Sequence, residues 1–187
     1  MSLEVRKTAL PGVVVLKPRV FGDDRGYFLE SFNARDFYNA TQQHYSFVQD
    51  NHSKSLHGVL RGLHYQVKRP QGKLIRVLEG AIFDVAVDIR EGSPTFGNWV
   101  GVELSAENKE QLWVPPDFAH GFVVLSATAQ VLYKATEFYA PEHERSILWN
   151  DRDINIAWPK VVPEPILSNK DQAASVLSKS ELPRYQK

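Results

Sequence analysis

The segment His57-Gly-Val-Leu-Arg61-Gly62-Leu-His64-Tyr-Gln66 carries the residues best suited to chemistry. A histidine exchanges protons near neutral pH, and an arginine fork suits paired anionic oxygens. Strict strand alternation puts Leu60, His64 and Gln66 on one face and Arg61 and Tyr65 on the other. A bend or bulge at Gly62 would instead bring Arg61 and His64 to a common cavity. The plainer alternative is a hydrogen-bonded structural histidine beside a surface arginine, and at this level both stay open.

Four further stretches have the same double character. Gln71-Gly72-Lys73 leads into a strand. It lacks the upstream glycine and the following Ser/Thr of a phosphate-binding P-loop, so Lys73 is either a solvated turn residue or a cation that enters a cavity and stabilises an oxyanion. Pro115-Pro-Asp-Phe-Ala-His120-Gly121-Phe122 sets a second histidine at the mouth of a strand. The run Gln130 to Tyr139 alternates, so a regular strand puts Tyr133 and Tyr139 on one face. They serve either as core aromatics or as a proton-transfer phenol and a stacking ring. Lys170-Asp171 falls in the first turn of a late helix, where an acid is favoured in any case. The functional alternative is that Asp171 hydrogen-bonds a histidine ring nitrogen, fixing its tautomer and raising the basicity of the other nitrogen.

Composition narrows the chemistry. The chain of 187 residues has 22 basic and 22 acidic residues, so any anion must be held by a local group of Arg and Lys, and nucleic acid is not an expected partner. The absence of cysteine removes a thiolate nucleophile, a disulfide framework and thiolate metal sites, and is compatible with the cytoplasm. No secretory signal and no apolar run of the ~20 residues a membrane span needs is present. The six histidines form no His-x-His and no His-x-x-x-His pair, so no metal is expected.

The elements that must position these residues are short. Apolar runs broken by turn residues cover Val13 to Leu16, Tyr27 to Phe32, Leu74 to Leu78, Ala81 to Ile89, Trp99 to Leu104, Gln111 to Val114, Phe122 to Leu125 and Gln130 to Tyr139. Strands at this spacing predict an all-β sandwich or barrel rather than βαβ units. The spacing predicts a helix over 34–40 with Asn33 as N-cap, and another over 168–178 opened by Ser168-x-x-Asp171. Residues 150–167 hold Pro159, Pro163 and Pro165 and predict an irregular surface path. One domain over 1–187 follows, with 150–187 as a C-terminal extension packing on the barrel.

Taken together the chain resembles the dTDP-4-dehydrorhamnose 3,5-epimerase family, a branch of the cupin superfamily. The resembling stretches include residues 20–32, 47–53, Val59-Leu-Arg61-Gly-Leu-His64-Tyr-Gln66, Phe83-Asp84 to Arg90, Ser93-Pro-Thr-Phe-Gly97, Leu104 to Asn108, Phe118-Ala-His120-Gly-Phe, Tyr133 to Tyr139 and Ile147 to Asp151. The resemblance implies a jelly-roll β-sandwich (a cupin-like barrel) with a few short helices, mainly N-terminal and C-terminal. It implies a cofactor-independent enzyme that removes and returns protons at C3 and C5 of a dTDP-4-keto-6-deoxy sugar in dTDP-L-rhamnose synthesis. By the family pattern His64 is the base, Asp171 its partner, Lys73 the stabiliser of the charge at O4, and Tyr133 the opposing acid. The same pattern assigns Arg25 and Arg61 to the diphosphate and Tyr139 to stacking on thymine. Glu30, Gln49, Asp50, Asn51, His120, Glu144 and Lys170 are implied nucleotide-sugar contacts. It further implies a homodimer with exchanged N-terminal strands, so that Arg25 and Glu30 serve the neighbour's site. The alternatives at this level are a mono-epimerase or ketoisomerase of the same fold and a non-catalytic sugar-binding jelly roll. A metal-dependent oxygenase is the remotest, since the metal-cupin pattern is absent.

Overall fold

The computed structural model describes residues 3–185. Thirteen strands are formed: Leu3–Lys7 (β1), Val14–Pro18 (β2), Val20–Asp23 (β3), Gly26–Leu29 (β4), Gln49–Leu56 (β5), Leu60–Gln66 (β6), Lys73–Glu79 (β7), Ala81–Asp88 (β8), Trp99–Ser105 (β9), Gln111–Val114 (β10), Phe118–Val124 (β11), Thr128–Ala135 (β12) and Glu144–Ser146 (β13). One sheet runs β1-β2-β10-β7-β12-β5, the other β13-β6-β11-β8-β9, and β3-β4 forms a separate hairpin. This is the expected jelly-roll sandwich. Strand β1 pairs with β2 of its own chain.

Three apolar groups hold the layers. Between the sheets lie Val13, Val15, Ile75, Ile82, Leu104, Leu112, Phe122 and Val131. The outer face of the five-stranded sheet is covered by the C-terminal segment, through Ile154, Ile156, Trp158 and Leu177 packed on Leu63, Tyr65, Val85 and Val87. The outer face of the six-stranded sheet is capped by helix α1 (Ala34–Thr41). Asn33 caps it as expected, accepting from the backbone N–H of Arg35 and Asp36. Eight residues are too few for a helix to stand alone in water. Here Phe37 anchors it, with its ring 5.0 Å from that of buried Trp113 and 5.3 Å from that of Phe47, both edge-on.

The expected late helix is shorter than its capping signal predicts. Only Asn169–Gln172 (α2) is helical, with Ser168 as N-cap, and a 3₁₀ turn follows at Leu177–Lys179. Residues 150–167 are irregular, as the prolines require. The extension's last two residues, Gln186 and Lys187, lie outside the described residues.

The register of β6 against β11 decides the site. His120 stands opposite His64, yet Phe122 stands opposite Arg61. Two steps on β11 therefore match three on β6, and β6 carries one extra residue between Arg61 and His64. The bulge overrides strict alternation. It puts Arg61 and His64 on the same inward face and turns Leu60, Leu63 and Tyr65 outward. Gly62 makes this possible, because its φ is +116° and a Cβ there would lie 2.6 Å from the Gly121 Cα and 2.7 Å from the His120 carbonyl oxygen. Gly62→Ala is therefore expected to cost about 3 kcal/mol or more. Gly97→Ala also sits at positive φ, +76°, but its methyl would meet nothing within 4 Å. It should cost only about 1–2 kcal/mol. Urea unfolding of both variants checks the difference, and equal losses would rule out the close approach of β6 and β11.

Candidate functional site

The inward face between the sheets opens into a polar cleft at β5, β6, β7, β12 and β13. His64 lies on β6 with its Nε2 2.5 Å from Asp171 Oδ1. The carboxylate is 3% exposed and the imidazole 25% exposed, so the acid is sealed in and the histidine faces the cleft. Asp171 is fixed in turn by Ser168, whose hydroxyl donates to Oδ2 at 2.8 Å and accepts from the Asp171 backbone N–H at 3.2 Å. Nε2 is thus committed, and Nδ1 is the nitrogen left to take a proton.

Burial pushes the His64 imidazole below its ordinary value. The hydrogen bond and charge of Asp171 push it back up without winning, because burial, joined by the lesser opposition of the cations Lys170 and Lys73, outweighs them. Burial pushes the Asp171 carboxyl up, but its bonds from His64 and Ser168 and the charges of His64 and Lys170 hold it below its ordinary value. The resting pair at neutral pH is a neutral imidazole on a carboxylate.

Lys73 opens β7, facing inward between Ala135 and Val114. Its ammonium has no hydrogen-bond partner among the described residues. Burial pulls it down to about 8 against the charges of Glu144 and Asp84. Tyr133 faces inward from β12, opposite Ile75 and Asn51. Burial and the charge of Glu144 raise its phenol, while Arg61 pulls it the other way. The phenol therefore holds its proton at neutral pH.

A chain of contacts lines the mouth. Glu144 Oε1 pairs with Lys170 Nζ at 2.7 Å, and its Oε2 accepts from the Tyr139 hydroxyl at 2.8 Å. The Tyr139 backbone N–H donates to Gln49 Oε1 at 2.9 Å, and the Gln49 amide donates to Asn51 Oδ1 at 2.9 Å. Arg61 Nε donates to Ser55 Oγ at 2.9 Å. His120 Nε2 lies 2.7 Å from Asp84 Oδ1, with both side chains buried.

The structure thus brings together His64, Asp171, Lys73, Tyr133, Arg61, His120, Gln49, Asn51, Tyr139, Glu144 and Lys170. It does not bring in three others. Asp50 alternates with Gln49 and Asn51, so it points to the outer face of the sheet and pairs with Lys134 at 2.9 Å. Arg25 sits at the tip of the β3-β4 hairpin, 89% exposed and bonded to Asp23. Glu30 lines a small recess beside Leu3 and Phe37 under α1. Tyr139 also corrects the expectation of one continuous strand. β12 ends at Ala135, so Tyr139 reaches the mouth from the following loop.

Two site residues escaped sequence reasoning. Asp84 anchors His120, and its signal was a charge inside the apolar run Ala81 to Val87. Ser55 steadies Arg61, and nothing in its neighbourhood marks it. Among the described residues no group of three or more His, Asp or Glu converges to hold a metal ion, and no helix is long and apolar enough to cross a membrane.

Comparison with known proteins bears on this cleft. The family model for dTDP-4-dehydrorhamnose 3,5-epimerase matches residues 7–179. The dTDP-4-dehydrorhamnose 3,5-epimerase of Pseudomonas aeruginosa is 56% identical over 179 residues, covering 96% of this chain and 98% of its own. That of Salmonella typhimurium is 58% identical, covering 95% and 97%. A crystal structure of the dTDP-6-deoxy-D-glucose-3,5-epimerase of Legionella pneumophila, in complex with dTDP-4-keto-L-rhamnose, superposes with a TM-score of 0.97 at 50% identity over 100% of both chains. A 3'-monoepimerase of Streptomyces bikiniensis in complex with dTDP-quinovose follows at a TM-score of 0.89 and 34% identity, covering 95% of this chain and 92% of its own.

The electrostatics of the dyad can be read directly. The His64 ring is expected to titrate below 6.5, the ordinary histidine value. Because Asp171 raises His64, removing its charge in Asp171→Asn should lower the midpoint further, with the protonated fraction at pH 6 falling. NMR titration of the imidazole checks this. A midpoint that rises in the variant would mean that Asp171 does not stabilise the imidazolium.

Proposed function

We infer the reaction from two facts held together: the chain belongs to the dTDP-4-dehydrorhamnose 3,5-epimerase family, and its cleft sets a neutral, carboxylate-bound histidine beside an unpartnered lysine ammonium. The enzyme is an isomerase. It converts dTDP-4-dehydro-6-deoxy-D-glucose to dTDP-4-dehydro-L-rhamnose by inverting C3 and C5, in the synthesis of dTDP-L-rhamnose.

C3 and C5 both flank the C4 ketone, so loss of a proton from either gives an enolate with its charge on O4. His64 Nδ1 takes the proton, and the imidazolium formed is stabilised by Asp171 across the 2.5 Å bond. The Lys73 ammonium meets the charge that develops on O4, where a cation in a water-poor cleft acts most strongly. Tyr133 returns a proton to the opposite face of the carbon, which inverts it. A positioned acid or base of this kind contributes roughly 10²–10⁴-fold. Arg61 holds the diphosphate, Tyr139 stacks on the thymine, and Gln49, Asn51, His120, Glu144 and Lys170 fix the rest of the ligand. The observation that carries the reading is the sealed Asp171 carboxylate behind a cleft-facing His64.

Proton NMR of the substrate in D₂O is the test. Deuterium is expected at both C3 and C5, with His64→Ala slower by about 10³-fold or more. Exchange at one carbon alone would make the enzyme a mono-epimerase, and undiminished exchange in His64→Ala would remove the base from the scheme.

The same inference extends to a homodimer in which Arg25 and Glu30 complete the neighbour's site. Two observations support it. The hairpin is paired with neither main sheet, and Phe21, Tyr27 and Phe28 on it are 41%, 60% and 62% exposed. Isolated hairpins are marginal in water, and exposed aromatic patches mark interfaces. His64→Ala and Arg25→Ala proteins, each impaired, should on refolding together regain activity at about a quarter of all sites, as random pairing into dimers gives. No recovery in a mixture of proven heterodimers would mean that Arg25 does not act across the interface.

A further inference from the structure

A second recess lies behind the active-site strand. It has a volume of about 870 Å³ and is walled by Leu60 and Val123 on the sheet side and by Trp149, Trp158, Val161 and Val162 on the other. Leu60 and Val123 are register partners on β6 and β11. Because of the bulge, Leu60 points outward while its neighbour Arg61 points into the cleft. The recess and the cleft are thus back to back across one strand. Its outer wall is the proline-rich strap 159–165, which runs on into Ser168 and Asp171. The strap is tied to the sheet at its C-terminal end, where the Ile166 N–H donates to the Gly58 carbonyl at 2.9 Å and the Leu60 N–H donates to the Ile166 carbonyl at 3.0 Å, and His57 Nε2 lies 3.2 Å from the Val161 carbonyl oxygen.

The lining defines what fits. The Trp158 indole N–H is already spent on the Trp149 carbonyl at 2.7 Å, so the ring offers its apolar surface rather than a donor. Three charged residues line the recess: Asp151, Arg152 and Lys160. Asp151 is buried and its carboxylate is used up, Oδ1 by the N–H groups of Asp153 and Ile154 and Oδ2 by that of Leu177. Arg152 and Lys160 make no hydrogen bond or ion pair among the described residues. The recess therefore presents two unspent cations and two tryptophans around an apolar floor, within the size range of small-molecule sites. That combination complements a flat aromatic body bearing one anionic group.

We propose that this recess is a second ligand site, separate from the substrate cleft, for an aromatic organic anion.

Anilinonaphthalenesulfonate, an aromatic sulfonate whose emission rises on leaving water, is the probe. One molecule per chain is expected to bind saturably, and saturating dTDP should leave its emission unchanged. The double variant Arg152→Glu/Lys160→Glu should bind it about tenfold more weakly, the effect of losing charge-assisted contacts. Ala157→Trp, which fills the recess, should abolish the signal. Both variants should keep their epimerase turnover, which shows that they fold. Displacement by dTDP, no saturable binding, or unchanged binding in either folded variant would overturn the proposal, the last by assigning the dye to the exposed aromatics of the hairpin.

Discussion

The hydrogen bond between His64 and Asp171 joins two parts of the chain 107 residues apart, and most of the architecture exists to make it possible. The base proposed for this cleft must be neutral at rest yet well supported once charged. Burial meets the first need by disfavouring the imidazolium, and a sealed carboxylate meets the second. Neither works without the other: a buried histidine alone would be too weak a base, and a solvated one would be protonated too readily. The five-stranded sheet supplies the histidine, and the C-terminal segment, held by its apolar packing on that sheet, delivers the acid.

Charge in the cleft follows the same logic of mutual restraint. Lys73 feels the charges of Glu144 and Asp84, and Lys170 those of Glu144 and Asp171, so both cations are offset by acids. Glu144 holds Lys170 and Tyr139 at the mouth through its two oxygens, while Lys73 is left without a bond. An ammonium with no internal hydrogen-bond partner among the described residues, drawn down to about 8 by burial, suits the role proposed for Lys73. The chain's overall neutrality conceals this local order.

How much of this the sequence discloses differs from residue to residue. His64, Lys73 and Asp171 stand out by residue type, but each keeps a plain structural alternative until the family resemblance gives it a role, whereas Asn33 and Ser168 are legible as caps because capping is local chemistry. The bulge at Gly62 was one of two readings, and only the register with β11 decides between them. Strand β5 is invisible to hydrophobic periodicity, since its inward residues Gln49, Asn51, Ser53 and Ser55 are polar to suit a wet cleft. The misplacement of Asp50 comes from that same strand, where a run of neighbours resembles a motif but alternation sends every second side chain away. Tyr139 misleads for the opposite reason, since an alternating pattern continues past the point where β12 stops.

The position of Asp171 also has a bearing on how the protein comes into being. The strands of both sheets are complete by Ser146, so they leave the ribosome before the acid does. The sandwich can then close around a histidine that still lacks its partner. Competence arrives late, when the proline-rich strap lies down and Ser168 locks the carboxylate in place. An unfinished or C-terminally clipped chain would lack the carboxylate and also bare the apolar outer face of the five-stranded sheet, so trimming this tail would silence the dyad and loosen the sandwich together.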